Sequence, residues 1–114
     1  MRVLAIIISL LLLQACTTIE DKVSVKTRES ISQEFYLLQA QKPIANVLLF
    51  TGGKGKINSI GKANNFLLRS RRLFLDQGFT VASLNAPSDQ QSSTGMYGGF
   101  RNSDEHAKDI SKVV

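Results

Sequence analysis

Cysteine and histidine are nearly missing from this 114-residue chain, which has one of each, Cys16 and His106. A single cysteine cannot form a disulfide within the chain. One cysteine and one histidine also fall short of the four ligands of a structural zinc site. The composition therefore excludes disulfide-stapled and zinc-stabilised domains, and we expect no metal and no cofactor.

A dense basic surface is also missing, although the net charge is +5 at pH 7. The basic residues are scattered apart from Arg69, Arg71 and Arg72, and aromatic residues do not alternate with them. Nucleic-acid binding favours a denser basic face than this. We expect the three arginines to lie on a solvated helix face, and nucleic acid is not an expected partner.

The one long apolar run lies at the start of the chain, where residues 3–13 read VLAIIISLLLL behind Met1-Arg2. This run fits the apolar region of a signal peptide, about 7–15 residues. It is short for a membrane span, which needs about 20. An uncleaved anchor and a buried core helix are the alternatives, but a helix apolar on every face is unexpected in so small a protein.

The stretch Leu13-Gln14-Ala15-Cys16 resembles the bacterial lipobox. The resemblance implies a diacylglycerol thioether at Cys16, cleavage before that residue, and acylation of the new N-terminus. Each buried CH₂ contributes about 0.8 kcal/mol, so several acyl chains anchor the protein durably in a membrane. Thr17, rather than Asp, follows the cysteine, and by the family's sorting rule this implies the outer membrane where the cell has one. A chance cysteine behind an ordinary signal peptide is the alternative.

These features divide the chain into a signal peptide (1–15), a lipid-anchored polar tether (16–22) and a domain (23–114). The domain opens with two segments, 23–28 and 33–40, that are typical of strands. Their spacing, with a turn between them, predicts an antiparallel hairpin.

A parallel unit is predicted to follow the hairpin. Residues 44–50 and 79–84 are nearly continuous apolar runs, as expected of strands buried on both faces. The spacing over 61–77 is helical, so the three segments predict a strand–helix–strand unit with parallel strands. The predicted apolar stripe of the helix contains Phe66, Leu67, Ser70, Leu73 and Phe74. The fold class is therefore α/β, with a mixed sheet.

The C-terminal part begins with a long polar loop, residues 85–102, and loops of this length are often functional. A helix then begins with Ser103 or Asn102 as its cap and continues without a C-cap to Val114. The parallel sheet needs helices on both faces, and only one crossover is complete. We therefore expect this chain to be the N-terminal part of a larger α/β domain, as a truncated reading frame or a fragment.

The glycine-rich turn at residues 51–55, TGGKG, is the strongest candidate for a functional site. Its spacing does not fit a Walker P-loop, because Gly55 lies one residue too far from the next Gly-Lys, and Ala63 replaces the required Ser or Thr. A dinucleotide fingerprint fails because Asn58 occupies the position of its third glycine. An oxyanion turn fits better, since glycines let a substrate approach backbone N–H groups closely.

The segment FTGGKG resembles the His-Gly-Gly-Gly-like loop between the third strand and first helix of α/β-hydrolases, with Thr51 where His is common. The resemblance extends over residues 23–114, which are similar to the N-terminal half of such an enzyme. The other segments that carry it are the hairpin, the crossover helix, FTVASLNAPSD and GFRNSDEHAKDISKVV. The resemblance implies that Gly52 and Gly53 form the oxyanion turn for an ester or related acyl substrate. It also implies that the loop 85–102 lines the cleft.

The catalytic residues of such an enzyme cannot be identified in this chain. Ser93 has half of a nucleophile elbow, but Gln91 replaces the first glycine and the segment lies in a loop. His106 has no recognisable partner and is expected to be structural or solvent-facing, and Asp89 is expected to be a turn residue at the cleft. This chain alone should be catalytically incomplete. The alternative is a non-enzymatic bacterial lipoprotein with a structural or binding role, or a truncated pseudogene product.

Overall fold

The computed structural model describes residues 18–114, and its first two strands form the predicted antiparallel hairpin. β1 (Asp21–Arg28) pairs with β2 (Ile31–Leu38), with Val23 opposite Phe35. A tight two-residue turn joins the two strands, so β2 begins and ends two residues earlier than predicted. The predicted signal peptide, the lipobox-like segment and Cys16 lie outside the described residues.

The parallel strand–helix–strand unit is confirmed. β3 (Ala45–Phe50) is followed by α1 (Phe66–Asp76) and β4 (Phe79–Leu84), and the two strands pair in parallel from Ala45 and Phe79 onward. The sheet order is β1-β2-β4-β3, in which β4 runs antiparallel to β2. The predicted α/β class with a mixed sheet is therefore correct.

β3 is not buried on both faces, contrary to the prediction from its apolar run. Ala45 and Asn46 are exposed, and Phe50 keeps 36% of its surface accessible. Among the described strands β3 forms one edge of the sheet, whereas β4 lies between two neighbours. β4 is accordingly the buried strand, with all four residues from Val81 to Leu84 buried.

α1 begins five residues later than predicted, and the face that it presents to the sheet agrees with the predicted stripe only in part, at Phe74. Asn65 caps the helix by accepting from the backbone N–H of Leu67 and Leu68, and residues 60–62 form a separate 3₁₀ turn. Phe66 and Leu73 of the predicted stripe are 70% and 65% exposed. The residues of α1 that pack inward are Leu68, Phe74 and Leu75. Spacing alone could not separate these stripes, because apolar residues cover a wide arc of the helix.

The prediction that Arg71 lies on a solvated helix face is wrong. Its guanidinium donates to both carboxylate oxygens of Glu20, at 2.6 and 2.9 Å, and to the carbonyl of Leu68. The side chains of Arg71 and Glu20 are only 12% and 10% exposed. This pair connects α1 to the segment just before β1.

The two helices cover opposite faces of the sheet. Side chains alternate between the faces of a strand, and the two apolar clusters follow that alternation. One cluster, packed by α1, contains Leu38, Val47, Leu49 and Val81. The other contains Val23, Phe35, Leu48 and Leu84 and is packed by Ile110 and Val113, at α2 (Asp104–Ser111) and just beyond it. The domain is thus a three-layer α/β/α arrangement.

The cap of α2 is Ser103, one of the two predicted candidates. Its hydroxyl accepts from the backbone N–H of His106 at 3.1 Å. The helix ends at Ser111 with Lys112 as its C-cap, so the helical pattern predicted through Val114 extends too far. From residue 18 onward, no helix is long and apolar enough to cross a membrane.

Candidate functional site

The glycine turn lies where β3 ends, at the carboxyl edge of the two parallel strands. Gly53 has φ +60°, a left-handed conformation that side chains rarely adopt, and the N–H of Gly55 donates to the carbonyl of Gly52. Gly52 and Gly53 are both exposed, whereas Thr51 is buried. The structure therefore places the predicted oxyanion turn at an accessible position between the third strand and first helix.

The backbone N–H groups of Gly52 and Gly53 have no hydrogen-bond acceptor among the described residues. A Cβ on Gly52 would meet only the Asn65 amide nitrogen, at 3.9 Å. The two donors are thus free to bind an acceptor from outside the protein.

Arg101 fixes the carbonyl side of the same turn. One nitrogen of its guanidinium, Nη2, donates to the carbonyls of Thr51 and Gly53, each at 2.8 Å. Because both carbonyls are held by a cation on one side, the peptide planes of the turn are oriented by side-chain contact. Sequence reasoning missed this role, since Arg101 lies 50 residues from Thr51.

The loop 85–102 packs directly on the glycine turn. The backbone N–H of Met96 donates to the carbonyl of Lys54 at 2.9 Å, and the Met96 side chain is buried. A Cβ on Gly55 would overlap the Met96 methyl group, and a Cβ on Gly95 would overlap the Lys54 carbonyl. The loop thus borders the turn, and the glycines permit this close contact, but no residue of the loop lines the cavity beside the turn.

Asn85, directly after β4, connects the two loops and the hairpin. Its Oδ1 accepts from the backbone N–H of Ile57 at 2.7 Å and from that of Ala86 at 2.9 Å. Its Nδ2 donates to the Glu34 carboxylate at 3.1 Å. The buried amide therefore holds Ile57 in the loop after β3 and Ala86 at the start of the loop 85–102. Its place at the end of a buried strand was the only sequence signal.

A polar cavity of about 340 Å³ opens beside the turn, on the α1 face of the sheet. Thr51 and Gly52 form one wall, and Asn65 and Leu68 at the start of α1 form another. Its volume falls at the lower end of the range for small-molecule pockets, about 300–1,000 Å³.

The other catalytic candidates are not brought together. Ser93 is exposed in the loop, consistent with the expectation that it is not a nucleophile elbow. His106 is buried between Phe50 and Phe100, with ring-centroid distances of 6.3 and 5.2 Å, and its Nδ1 has no hydrogen-bond partner. Burial lowers the pKa of His106. The region from residue 18 to 114 holds no cluster of three His, Cys, Asp or Glu side chains suited to a metal.

A cluster of charged residues that the sequence analysis did not predict joins α2 to the hairpin. The Asp109 carboxylate is fully buried and accepts from Arg28 at 2.8 and 2.9 Å and from the Thr27 hydroxyl. Arg28 also forms a bidentate pair with Asp89, which is therefore a partner in an ion pair as well as a turn residue. Although burial alone opposes ionisation, these bonds hold the pKa of Asp109 below its ordinary value, and the two carboxylates raise that of Arg28.

Comparison with known proteins adds no relative to these observations. No protein-family model, no curated protein and no solved structure matches the chain. The functional argument therefore depends on the fold and on the geometry of the turn.

Proposed function

We propose that this chain is the N-terminal part of a membrane-anchored α/β-hydrolase that acts on an ester or related acyl substrate. One observation carries the proposal, namely the free N–H groups of Gly52 and Gly53 at the end of the third strand. In α/β-hydrolases one oxyanion donor comes from the loop between the third strand and the first helix. The antiparallel hairpin followed by a parallel strand–helix–strand unit also supports this fold.

The role of the turn follows from the chemistry of acyl transfer. Attack on an ester carbonyl places negative charge on its oxygen, and backbone N–H groups aimed at that oxygen stabilise the transition state. Loss of one such donor typically costs about 3–4 kcal/mol of activation free energy. The Arg101 contacts to the carbonyls of Thr51 and Gly53 hold the turn in place before substrate arrives.

The nucleophile, acid and base would come from sequence beyond Val114, because in α/β-hydrolases the elbow serine precedes the acid and the histidine in chain order. Sequencing the DNA after codon 114 should reveal a Gly-x-Ser-x-Gly segment behind a strand. A fluorophosphonate probe should label the extended protein at that serine and should not label the 114-residue chain. A stop codon without downstream coding sequence, or specific labelling of the short chain, contradicts this proposal.

The oxyanion role is tested by two substitutions at the same position of the extended protein. Gly52→Pro removes the N–H donor, whereas Gly52→Ala keeps it and the structure leaves room for the added methyl. We expect the proline variant to lose about 10²–10³-fold in hydrolysis rate and the alanine variant to stay within a few-fold. Equal rates in two folded variants would exclude this residue as a donor.

Anchoring through a lipidated Cys16 is a separate part of the proposal, supported by the lipobox sequence and an outer-membrane sorting residue, Thr17. Cells grown with radioactive palmitate should label the wild-type protein and not Cys16→Ala. Label that survives this substitution would contradict lipid anchoring without affecting the hydrolase proposal.

A non-enzymatic lipoprotein is the second candidate, and the contact of Gly55 with Met96 favours it because this contact gives a glycine of the turn a structural role. A turn whose carbonyls are held by an arginine and whose Gly55 packs on Met96 also serves simply to join β3 to the following loop. In that case Gly52→Pro and Gly52→Ala should change stability alone, and no downstream elbow should be found.

A further inference from the structure

The cavity beside the glycine turn is lined by donors of hydrogen bonds and by positive charge. Lys56 and Lys62 are the charged residues on its wall, and no carboxylate lines it. Lys62 is exposed and forms no ion pair with residues 18–114, while Lys56 donates weakly to the Ser92 carbonyl at 3.3 Å. The charged side chains that line the cavity are therefore both positive.

Asn65 has its side-chain orientation set by its role as a helix cap. Its Oδ1 is occupied by the backbone N–H groups of Leu67 and Leu68, at 2.9 and 3.4 Å. The remaining atom, Nδ2, lies 3.9 Å from the position that a Cβ on Gly52 would take, and it has two hydrogens to donate. The cap thus directs a donor, and not an acceptor, toward the ligand space.

The hydroxyl of Thr51 is a second, independent observation that points to a ligand. Thr51 lines the cavity, is only 4% exposed, and its Oγ1 has no hydrogen-bond partner. A buried hydroxyl without a partner costs about 1–3 kcal/mol. An anion bound in the cavity would supply the acceptor that this hydroxyl lacks.

We propose that this cavity binds a small oxyanion, a carboxylate or phosphate group, through Thr51 Oγ1, Asn65 Nδ2 and the ammonium group of Lys62. An anion accepts from all three donors and neutralises the lysine. The N-terminus of α1, which carries a partial positive charge, adds to the attraction. This binding requires no nucleophile, so it goes beyond the proposed hydrolase activity and does not depend on it.

The experiment is a titration of the isotope-labelled full chain in detergent micelles, followed by the backbone amide NMR signals of Thr51 and Gly52. The probes are inorganic phosphate and acetate at constant ionic strength, with acetamide as the neutral counterpart of acetate. We expect saturable shifts with at least one anion and none with acetamide.

Variants assign the binding to the cavity. Lys62→Gln and Thr51→Val should each weaken binding about tenfold, since each removes a hydrogen bond to a charged group. Lys42→Gln is the matched control, because Lys42 is exposed just before β3, whereas the cavity lies at the other end of that strand. This substitution should change the dissociation constant less than about twofold.

Three results would each overturn the proposal. The first is a shift that grows linearly with anion concentration. The second is an equal loss of affinity in Lys62→Gln and Lys42→Gln, which would indicate diffuse charge attraction. The third is an anion affinity of Thr51→Val that equals that of the wild type. Thr51→Ser, which keeps the hydroxyl, is the control for this substitution. None of these results bears on ester hydrolysis.

Discussion

The two helices cover opposite faces of one sheet and are held there by different forces. α1 packs through Leu68, Phe74 and Leu75 on an apolar cluster. α2 also has apolar contacts, but its most buried residue is Asp109, whose carboxylate is held by Arg28 and Thr27. Apolar contact tolerates small shifts, whereas a buried carboxylate needs its donors at defined positions.

This difference matters for the candidate site because α2 follows directly on the loop that carries Arg101. Phe100 packs on His106 of α2, and the Arg28 guanidinium lies 5.8 Å from the centre of the Phe100 ring. The directional contacts of α2 therefore set the position from which Arg101 reaches the glycine turn. α1, in contrast, contributes its N-terminal end to the cavity wall.

The largest effect is expected from removing the buried carboxylate. Asp109→Ala leaves Arg28 and Thr27 without their main acceptor, and breaking a buried ion pair costs about 3–5 kcal/mol. Urea denaturation of the full chain in micelles measures this loss. Asp104→Ala is the control, because Asp104 is exposed on the same helix, and it should cost less than about 1 kcal/mol. If the two variants are equally stable, α2 is held by its apolar contacts alone.

The second effect tests α1 in the same assay. Leu68 is 2% exposed, and Leu68→Ala should lower the free energy of unfolding by about 3 kcal/mol through lost burial and the cavity left behind. Leu73→Ala makes the same chemical change at a position that is 65% exposed, and should stay within about 0.5 kcal/mol. A larger loss of unfolding free energy for Leu73→Ala than for Leu68→Ala would mean that α1 packs on the sheet through the stripe predicted from the sequence.

The contrast between the helices also explains what the sequence could predict. Strand pairing, the parallel unit and the turn at Gly52 and Gly53 follow from local signals, namely alternation, apolar runs and glycine clusters. The edge position of β3 does not, because an apolar run carries no information on how many neighbours a strand has. Its exposure at Ala45 was therefore mispredicted.

Long-range polar contacts were missed for a related reason. Asp109 and Arg28 lie 81 residues apart, and Arg101 reaches the turn across about half the chain. None of these three residues stands out locally, since charged side chains ordinarily face solvent. Only the folded arrangement shows their hydrogen-bond partners.

The third prediction concerns pH and again separates the two helices. Burial lowers the pKa of His106 from its ordinary value of 6.5; the Asp109 carboxylate opposes this shift, and Arg101 and Arg28 add to it. The unfolded chain therefore binds a proton more readily than the folded one. Stability should be complete above about pH 6.5 and fall as the pH decreases toward the folded pKa, by at most about 1.4 kcal/mol per pH unit.

Denaturation of the full chain at pH 7.5 and 5.5, beside the same measurement on His106→Gln, checks this prediction. The variant should lose most of the pH dependence in this interval. The Asp109 carboxylate does not interfere, because its pKa lies below 3.8 and its contribution is lost only as the pH falls through that lower value. A dependence that survives in the variant would show that another group titrates on folding.

The smallest expected effect compares the two helix caps. Asn65→Ala and Ser103→Ala each remove a side-chain acceptor from N–H groups at a helix start, and each should cost about 1 kcal/mol in the urea assay. Their consequences should differ at the site. Asn65→Ala also removes Nδ2 from the cavity and should weaken phosphate or acetate binding. Ser103 caps α2 and does not line the cavity, so Ser103→Ala should leave that binding unchanged. Equal binding by both variants would mean that the cap of α1 serves the helix alone.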